Sequence, residues 1–218
     1  MYETVLRTPY AGLGPLAGLG AYEIHERVAG LMNRNPRDYL YEFCAPQGVL
    51  YLRAATRSAG EEIPWRELTP LIAGGHYKVL GRIALDYHRL EHRAKVTSYA
   101  VRRSDFARVL APLLAERAGL GVSSLEVWTE PTVAIRKPGR GEFHFVPINF
   151  AGTVTIEDLE RARAAHERGF GRARGFGFGV LHFRPQVPRT AFPCGAPPAE
   201  RELWVARGSR GTDGMASQ

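Results

Sequence analysis

Apolar positions in the first 87 residues follow two periods, one typical of strands and one typical of helices. Strand-like alternation covers residues 2–7, 39–43, 49–54 and 77–85. Ile24, Val28 and Leu31 recur at helical spacing and predict a helix over 21–32, and a short second helix is predicted over 65–71. The predicted order is β-α-β-β-α-β, which is that of a ferredoxin-like domain over residues 1–87.

The same order begins again after residue 95. Strands are predicted over 96–102, 125–136, 142–155 and 180–183, with helices over 104–117 and 157–168. The predicted fold class is therefore α+β, with two tandem ferredoxin-like (RRM-like) domains at 1–87 and 96–184 and a C-terminal glycine-rich loop. Residues 185–218 are rich in proline, glycine and arginine, and we expect a loosely attached tail that is partly disordered.

The most distinctive segment, residues 169–179, reads Gly-Phe-Gly-Arg-Ala-Arg-Gly-Phe-Gly-Phe-Gly. Such glycines permit positive φ and the close approach of a backbone or a phosphate, and the two arginines indicate an anionic ligand. Nucleotide-binding glycine loops precede a helix, whereas this loop follows one, so we predict no nucleotide cofactor. We assign anion binding here to Gly169, Gly171, Arg172, Arg174, Gly175 and Gly177, and expect Gly175 and Gly177 to exclude a Cβ.

Composition favours a nucleic acid partner. Lysine and arginine total 29 against 22 acidic residues, for a formal net charge of +7. Cys44 and Cys194 form neither a disulfide framework nor a zinc site, so we expect the protein to work in the reducing cytoplasm. His88 and His92 have no third ligand nearby, and no apolar run approaches the ~20 residues of a membrane span. We therefore predict neither metal, cofactor nor membrane contact.

These features resemble the RAMP superfamily of CRISPR-associated RNA-binding proteins, whose C-terminal signature is similar to residues 174–179. Within it, the sequence is most similar to the endoribonuclease that processes precursor CRISPR RNA in Cascade (type I-E-like) complexes, with a type IV relative also possible. That family has a tyrosine and a histidine three residues apart on an early helix, then an arginine-rich turn and an aromatic strand. The matching residues are Tyr22 and His25, Arg34-Asn-Pro-Arg37 and Tyr39-Leu-Tyr41.

The chemistry of RNA cleavage without a metal gives these residue types a reason. A proton leaves the ribose 2′-hydroxyl, negative charge develops on the phosphate, and the 5′-oxygen is protonated as it departs. Histidine serves either proton step near neutral pH, and residues three apart share one helix face. The predicted catalytic residues are His25, Tyr22, Arg27 and Arg34, with the arginines stabilising charge. Whether His25 is acid or base, or whether arginines alone suffice, stays open.

The predicted RNA-binding residues outside the loop are Arg37 and the basic hairpin tip of Arg136, Lys137 and Arg140. Such a ribbon can follow the phosphates of a duplex stem. Phe176 and Phe178 are expected to pack against the core instead of stacking bases.

The resemblance implies a metal-independent endoribonuclease that cuts precursor CRISPR RNA at the base of the repeat stem. It would leave a 2′,3′-cyclic phosphate and a 5′-hydroxyl, then stay on the mature crRNA with other subunits of an effector complex. The alternative is a non-catalytic RAMP subunit that binds the guide RNA. A weaker alternative is a general single-strand RNA-binding protein. Such proteins use an aromatic-rich RNP motif, and this sequence lacks it.

Overall fold

The computed structural model of the protein describes residues 1–10, 13–33, 35, 38–57, 63–84, 106–137 and 141–186, without the side chains of 137 and 141–143. Residues Met1–Pro185 form one compact unit. Its elements, in chain order, are β1 (Tyr2–Arg7), α1 (Ala21–Met32), β2 (Tyr39–Cys44), β3 (Val49–Ala54), β4 (Arg66–Glu67), β5 (His76–Ala84), α2 (Phe106–Ala118), β6 (Leu120–Thr129), β7 (Val133–Lys137), β8 (Gly141–Phe145), β9 (Pro147–Ile156), α3 (Leu159–Arg168) and β10 (Leu181–Pro185).

The first sheet has the strand order β2-β3-β1-β4 with antiparallel pairing between neighbours. Helix α1 contributes Val28 and Met32 to a buried cluster with Leu6, Leu50 and Leu52 of the sheet. These apolar residues recur at period two in the strands and at helical spacing in α1, so the apolar stripe of α1 packs on one face of the sheet. Helix α1 is thereby fixed on the sheet, and its adjoining face remains available for other contacts.

The second sheet has the order β10-β5-β9-β6, and α2 and α3 contribute to its core. Val79, Ile83 and Phe150 from the strands pack with Leu110 and Leu114 of α2. The chain order β5-α2-β6-β9-α3-β10 is a complete β-α-β-β-α-β unit. The predicted α+β class is confirmed, and the second sheet with its helices has the ferredoxin-like order.

The strand predicted over 77–85 does not close the first unit, because β5 lies between β10 and β9 in the second sheet. The helix predicted over 65–71 is also wrong. Residues Arg66–Glu67 form the short strand β4, which pairs with β1 and occupies the edge that β5 was expected to take. Pro64 and Pro70 flank this segment, and prolines at both ends leave too few residues for a stable helix.

The two long strands predicted over 125–136 and 142–155 are each divided in the structure. Strands β6 and β9 pair in the second sheet, while β7 and β8 form a separate two-stranded ribbon. Pro131 and Pro147 stand near the division in the two strands, where a missing N–H interrupts the hydrogen-bond ladder. Outside the described residues lie the predicted strand 96–102, the tail from 187 onward, and Arg34, Arg37, His88, His92, Arg140 and Cys194.

Helix α3 carries a buried titratable group, the imidazole of His166. It is 5 % exposed, and its ring meets that of Phe183 edge-on at 4.9 Å. Burial, aided by the positive charge of Arg53 and by His182, lowers the pKa of His166 to about 3. The imidazole is therefore neutral in the folded protein at pH values where it would be protonated in the unfolded chain.

We expect the free energy of unfolding to fall as the pH is lowered from about 6.5 towards about 3, because the unfolded state then binds a proton that the folded state excludes. Above that window His166 contributes no pH dependence, since both states are neutral. The variant His166→Phe should lose this pH-dependent contribution to the free energy of unfolding, which amounts to at most ~1.4 kcal/mol per pH unit. Urea unfolding of both proteins across the window measures it, and parallel curves would contradict the prediction.

Candidate active site on helix α1

Helix α1 begins at a defined point, just before Tyr22. The backbone N–H of Gly20 donates to the Glu23 carboxylate at 2.7 Å, which fixes the first turn of the helix. With Val28 and Met32 turned into the core, the adjoining face presents Tyr22 and His25, both partly buried. Their ring centroids are 6.2 Å apart. The structure therefore brings together the two residues that the sequence paired.

His25 lies against the glycine-rich loop. Its ring centroid is 5.3 Å from that of Phe176, and its Cε1 is 4.0 Å from where a Cβ on Gly175 would stand. The Nδ1 atom of His25 is buried and has no hydrogen-bond partner among the residues that the structure describes. An unsatisfied buried polar atom costs about 1–3 kcal/mol, and such atoms are rare in native proteins, where a catalytic role is one explanation for them. His25 is thus the strongest candidate for chemistry on this helix.

Tyr22 is hydrogen-bonded to Glu26, one helical turn further along. Partial burial, followed by the Glu26 charge and this hydrogen bond, raises the pKa of Tyr22 above its ordinary value of 10. The phenol is therefore neutral near pH 7. Because its proton is donated to Glu26, the oxygen of Tyr22 is left as a hydrogen-bond acceptor for a ligand.

Two tyrosines of β2 form the floor beneath the loop. Tyr39 and Tyr41 are 4 % and 1 % exposed, and neither hydroxyl has a hydrogen-bond partner within the described protein. Burial, together with Glu26, raises the pKa of Tyr39 to about 12, and burial with neighbouring Tyr39 raises that of Tyr41 further. The sequence identified this aromatic strand, but not that it supports the loop.

The glycine-rich loop closes on itself and is tied to β5. The N–H of Phe170 donates to the carbonyl of Gly179 at 2.8 Å, and the N–H of Gly179 donates to that of Arg82 at 2.6 Å. Within the loop, a 3₁₀ turn over Arg174–Phe176 packs against α1 and β2. The loop is therefore an ordered wall of the site.

The two glycines expected to exclude a Cβ behave differently. Gly177 has φ +84°, and a Cβ there would stand 2.9 Å from the Tyr41 ring, so that expectation is confirmed. Gly175 has ordinary φ and would make only a normal contact with His25, so the expectation is wrong there. Of these two glycines, only Gly177 lies in close contact with β2.

The loop phenylalanines pack as expected. Phe178 is 1 % exposed, meets Phe145 edge-on at 4.8 Å and lies 4.5 Å beneath the Arg82 guanidinium. Phe176 is partly buried against His25. Phe170 is also buried, at 6 % exposure. These rings therefore hold the loop in place.

Two of the predicted arginines make contacts with the backbone of this chain. Arg27 donates through Nη1 to the carbonyls of Leu13 and Pro15, at 3.1 and 3.4 Å. Arg174 donates to the carbonyl of Arg168 at 2.8 Å, at the C-terminus of α3. Both bonds are solvent-accessible or partly so, which leaves the positive charges near the surface of the site.

The remaining predicted binding residues lie on the loop and the ribbon. Arg172 and Gly171 are exposed, and the N–H of Arg172 donates to the carbonyl of Ala84 at 3.3 Å. Gly169 has φ +78° and ends α3. Arg136 is exposed on β7, and the backbone of Lys137 pairs with Gly141 at the end of the ribbon.

The ribbon packs on the helix that carries His25. Ile135 of β7 is 1 % exposed, and β7 contacts α1. The predicted binding ribbon therefore packs against the same helix that carries the predicted catalytic pair.

The described residues include no helix that is long and apolar enough to cross a membrane. They also hold no group of three or more His, Cys, Asp or Glu side chains arranged to bind a metal ion.

A family model described as "CRISPR associated protein" matches residues 87–185. Curated protein sequences show no significant match. The matched range contains the glycine-rich loop, which is the feature of the C-terminal half on which the sequence resemblance depends, and it also contains the ribbon. The match supports that resemblance.

Solved structures of CRISPR proteins share the fold over most of the chain. Cse3 of Thermus thermophilus, bound to an RNA representing a pre-cleavage complex, superposes with a TM-score of 0.63 at 20% identity, covering 84% of this chain and 98% of that one. Cas6e from Escherichia coli K-12 gives 0.59 at 18% identity, covering 85% and 100%. A chain of a CRISPR RNA-guided surveillance complex gives 0.59 at 17% identity, also covering 85% and 100%.

Proposed function

We propose that this protein is a metal-independent endoribonuclease that cleaves precursor CRISPR RNA within the repeat, at the base of its stem. The observation that carries the proposal is the position of His25 beside Tyr22, enclosed by the glycine-rich loop in a fold shared with Cse3 and Cas6e. Another solved structure of that fold is CRISPR endoribonuclease Cse3 bound to a 19-nucleotide RNA. The fold supports RNA cleavage, and the side chains on α1 support a particular chemistry.

The proposed reaction is an internal transfer at one phosphodiester. The ribose 2′-oxygen forms a bond to phosphorus as the bond from phosphorus to the 5′-oxygen breaks. One proton leaves the 2′-hydroxyl and one reaches the departing 5′-oxygen, so the products are a 2′,3′-cyclic phosphate and a 5′-hydroxyl. His25 carries one of these protons. Its partly buried ring, held by Phe176, restricts the direction from which RNA approaches it.

Tyr22 has a distinct part in this proposal. Since its proton is donated to Glu26, its oxygen accepts a hydrogen bond, and the donor that RNA offers at the reacting centre is the ribose 2′-hydroxyl. Tyr22 would orient that hydroxyl beside the phosphate. Arg27 and Arg34 would stabilise the developing negative charge.

The basic residues of the ribbon and loop would bind the RNA backbone. Together with Arg37, they are Arg136, Lys137, Arg140, Arg172 and Arg174, with Gly169, Gly171, Gly175 and Gly177 shaping the loop. The contacts to the stem do not change when the strand is cut. We therefore infer that the enzyme stays on its product, in the cytoplasm, as a subunit of an effector ribonucleoprotein.

Removing a charge from the ribbon should weaken binding more than catalysis. We expect Arg136→Gln to raise the Kd for repeat RNA and to reduce the slope of log K against log salt by roughly one contact, because fewer counterions are released. Filter binding at several salt concentrations measures both. Arg108→Gln, an exposed arginine of α2 with no predicted role, is the matched control. An unchanged salt slope in Arg136→Gln would contradict the prediction.

The proposed function is tested by incubating the purified protein with the repeat RNA of its own genome in EDTA and mapping the product ends. We expect one cut at the base of the stem at an undiminished rate, with cyclic phosphate and 5′-hydroxyl ends. A strict need for divalent metal, or 5′-phosphate ends, would refute the mechanism. Tight binding without cleavage would show the non-catalytic RNA-binding subunit instead.

A further inference from the structure

One buried guanidinium connects the first sheet to α3 and β10. Arg53 lies on β3 and is 4 % exposed. Its Nη1 donates to the backbone carbonyls of His166 and Leu181, the second at 3.2 Å, and its Nη2 donates to Glu3 at 3.3 Å. The planar fork of arginine suits such divergent acceptors, which a lysine ammonium cannot serve in the same way.

The two carbonyls lie on either side of the glycine-rich loop. His166 is in the last turn of α3, shortly before Gly169, and Leu181 begins β10, shortly after Gly179. A single nitrogen of Arg53 therefore fixes both ends of the loop to the first sheet.

A second contact lies beside the first. Glu42 of β2 is 2 % exposed, and its carboxylate is 2.9 Å from Nε2 of His182 on β10. The ring of Tyr51 meets that of His182 edge-on at 4.9 Å. We call Arg53, Glu42 and His182 the loop clamp.

Burying a guanidinium and a carboxylate has a large desolvation cost, and apolar residues of similar size often stabilise a core as well or better. Their use here is therefore better explained by geometry than by stability. Between the two clamped ends, the loop places Phe176 on His25 and Gly177 on Tyr41. Helix α1 packs on the first sheet, whereas the loop connects α3 and β10 of the second sheet and its helices. The distance between His25 and the loop therefore depends on the contacts that join the two sheets.

We infer that the loop clamp is a set of positioning residues that holds the glycine-rich loop in register with His25. This inference rests on the proposed function, and the clamp residues act through the loop without touching RNA. A misplacement of about 1 Å at a reacting group can cost on the order of 10²-fold in rate. The clamp should therefore affect the cleavage step much more than the affinity for RNA.

The test compares Arg53→Lys and His182→Gln with wild type in the full chain. We expect each variant to slow single-turnover cleavage by ~10-fold or more with nearly unchanged Kd for repeat RNA. We also expect the His25 ring resonance in an NMR ¹H–¹³C spectrum to shift, because the ring current of Phe176 changes when the loop moves. Both are measured well below the Tm of each variant, so lost stability alone does not produce them.

Arg161→Lys is the matched control, because Arg161 also donates to a backbone carbonyl, that of Glu116, and pairs with a carboxylate, that of Asp158. It should match wild type in both measurements. If Arg53→Lys does not fold, His182→Gln decides by the same two measurements. Wild-type cleavage with an unmoved His25 resonance would overturn the inference. The resonance tests the clamp even if the wild type proves not to cut RNA, so the two proposals can fail separately.

Discussion

Replacing His25 with alanine should slow single-turnover cleavage of repeat RNA by ~10²-fold or more, the range for losing a general acid or base. RNA affinity should be nearly unchanged, because the ribbon and the loop arginines that we propose to bind the RNA backbone remain. The rate is measured with enzyme in excess, and affinity is measured by filter binding. His76→Ala is the control, since His76 is exposed on β5 and bonds only to Thr155 among the contacts described for it.

Two outcomes would revise this picture in different ways. If His25→Ala cuts normally while Arg27→Ala or Arg34→Ala is inactive, the chemistry is carried by arginines. If His25→Ala loses both cleavage and binding, the imidazole is a binding group, and the proton must move elsewhere. Only a selective loss of the cleavage rate supports His25 as a proton carrier.

Replacing Gly177 with valine should destabilise the loop and abolish most of the cleavage. A non-glycine residue at positive φ costs about 1–2 kcal/mol, and crowding in a packed core adds ~1–3 kcal/mol. Both effects apply at Gly177, where φ is +84° and a Cβ would stand 2.9 Å from Tyr41. Relief of that contact moves the loop away from β2 and takes Phe176 off His25. Thermal melting and single-turnover cleavage measure the two consequences.

Gly175→Ala is the matched control for stability. Gly175 is two residues away in the same loop, has ordinary φ, and leaves room for a methyl group. We expect its Tm to stay close to wild type while that of Gly177→Val falls. Equal melting temperatures in wild type and Gly177→Val would show that the loop does not depend on this contact.

The fold was predictable where the relevant information is local. The alternation in β1, β2 and β3 and the apolar spacing of α1 indicated these elements correctly. The alternation in β5 also predicted a strand, but a strand's own period does not determine its neighbours. Its place in the second sheet depends on β4 occupying the edge beside β1, a pairing of only two residues that carries no periodic signal.

In the candidate site, too, local features were predictable from the sequence and long-range contacts were not. The spacing of Tyr22 and His25 predicted that they share one helix face, and the family resemblance identified them as a pair. Gly175 and Gly177 look alike in sequence, and only the path of the loop over Tyr41 distinguishes them. Arg53 gave no signal either, because its partners His166 and Leu181 are more than a hundred positions away in the chain. Residues that act through distant contacts require the structure.

The central claim, attack by the 2′-oxygen at a site organised by His25, has one direct test. Repeat RNA carrying a single 2′-deoxy nucleotide immediately before the scissile phosphate is compared with the all-ribose RNA in single-turnover cleavage, in EDTA. The proposed mechanism predicts that the deoxy RNA binds as tightly as the all-ribose RNA and is not cut. Cleavage of the deoxy RNA at the same phosphate would contradict it, because the attacking oxygen would then have to come from water.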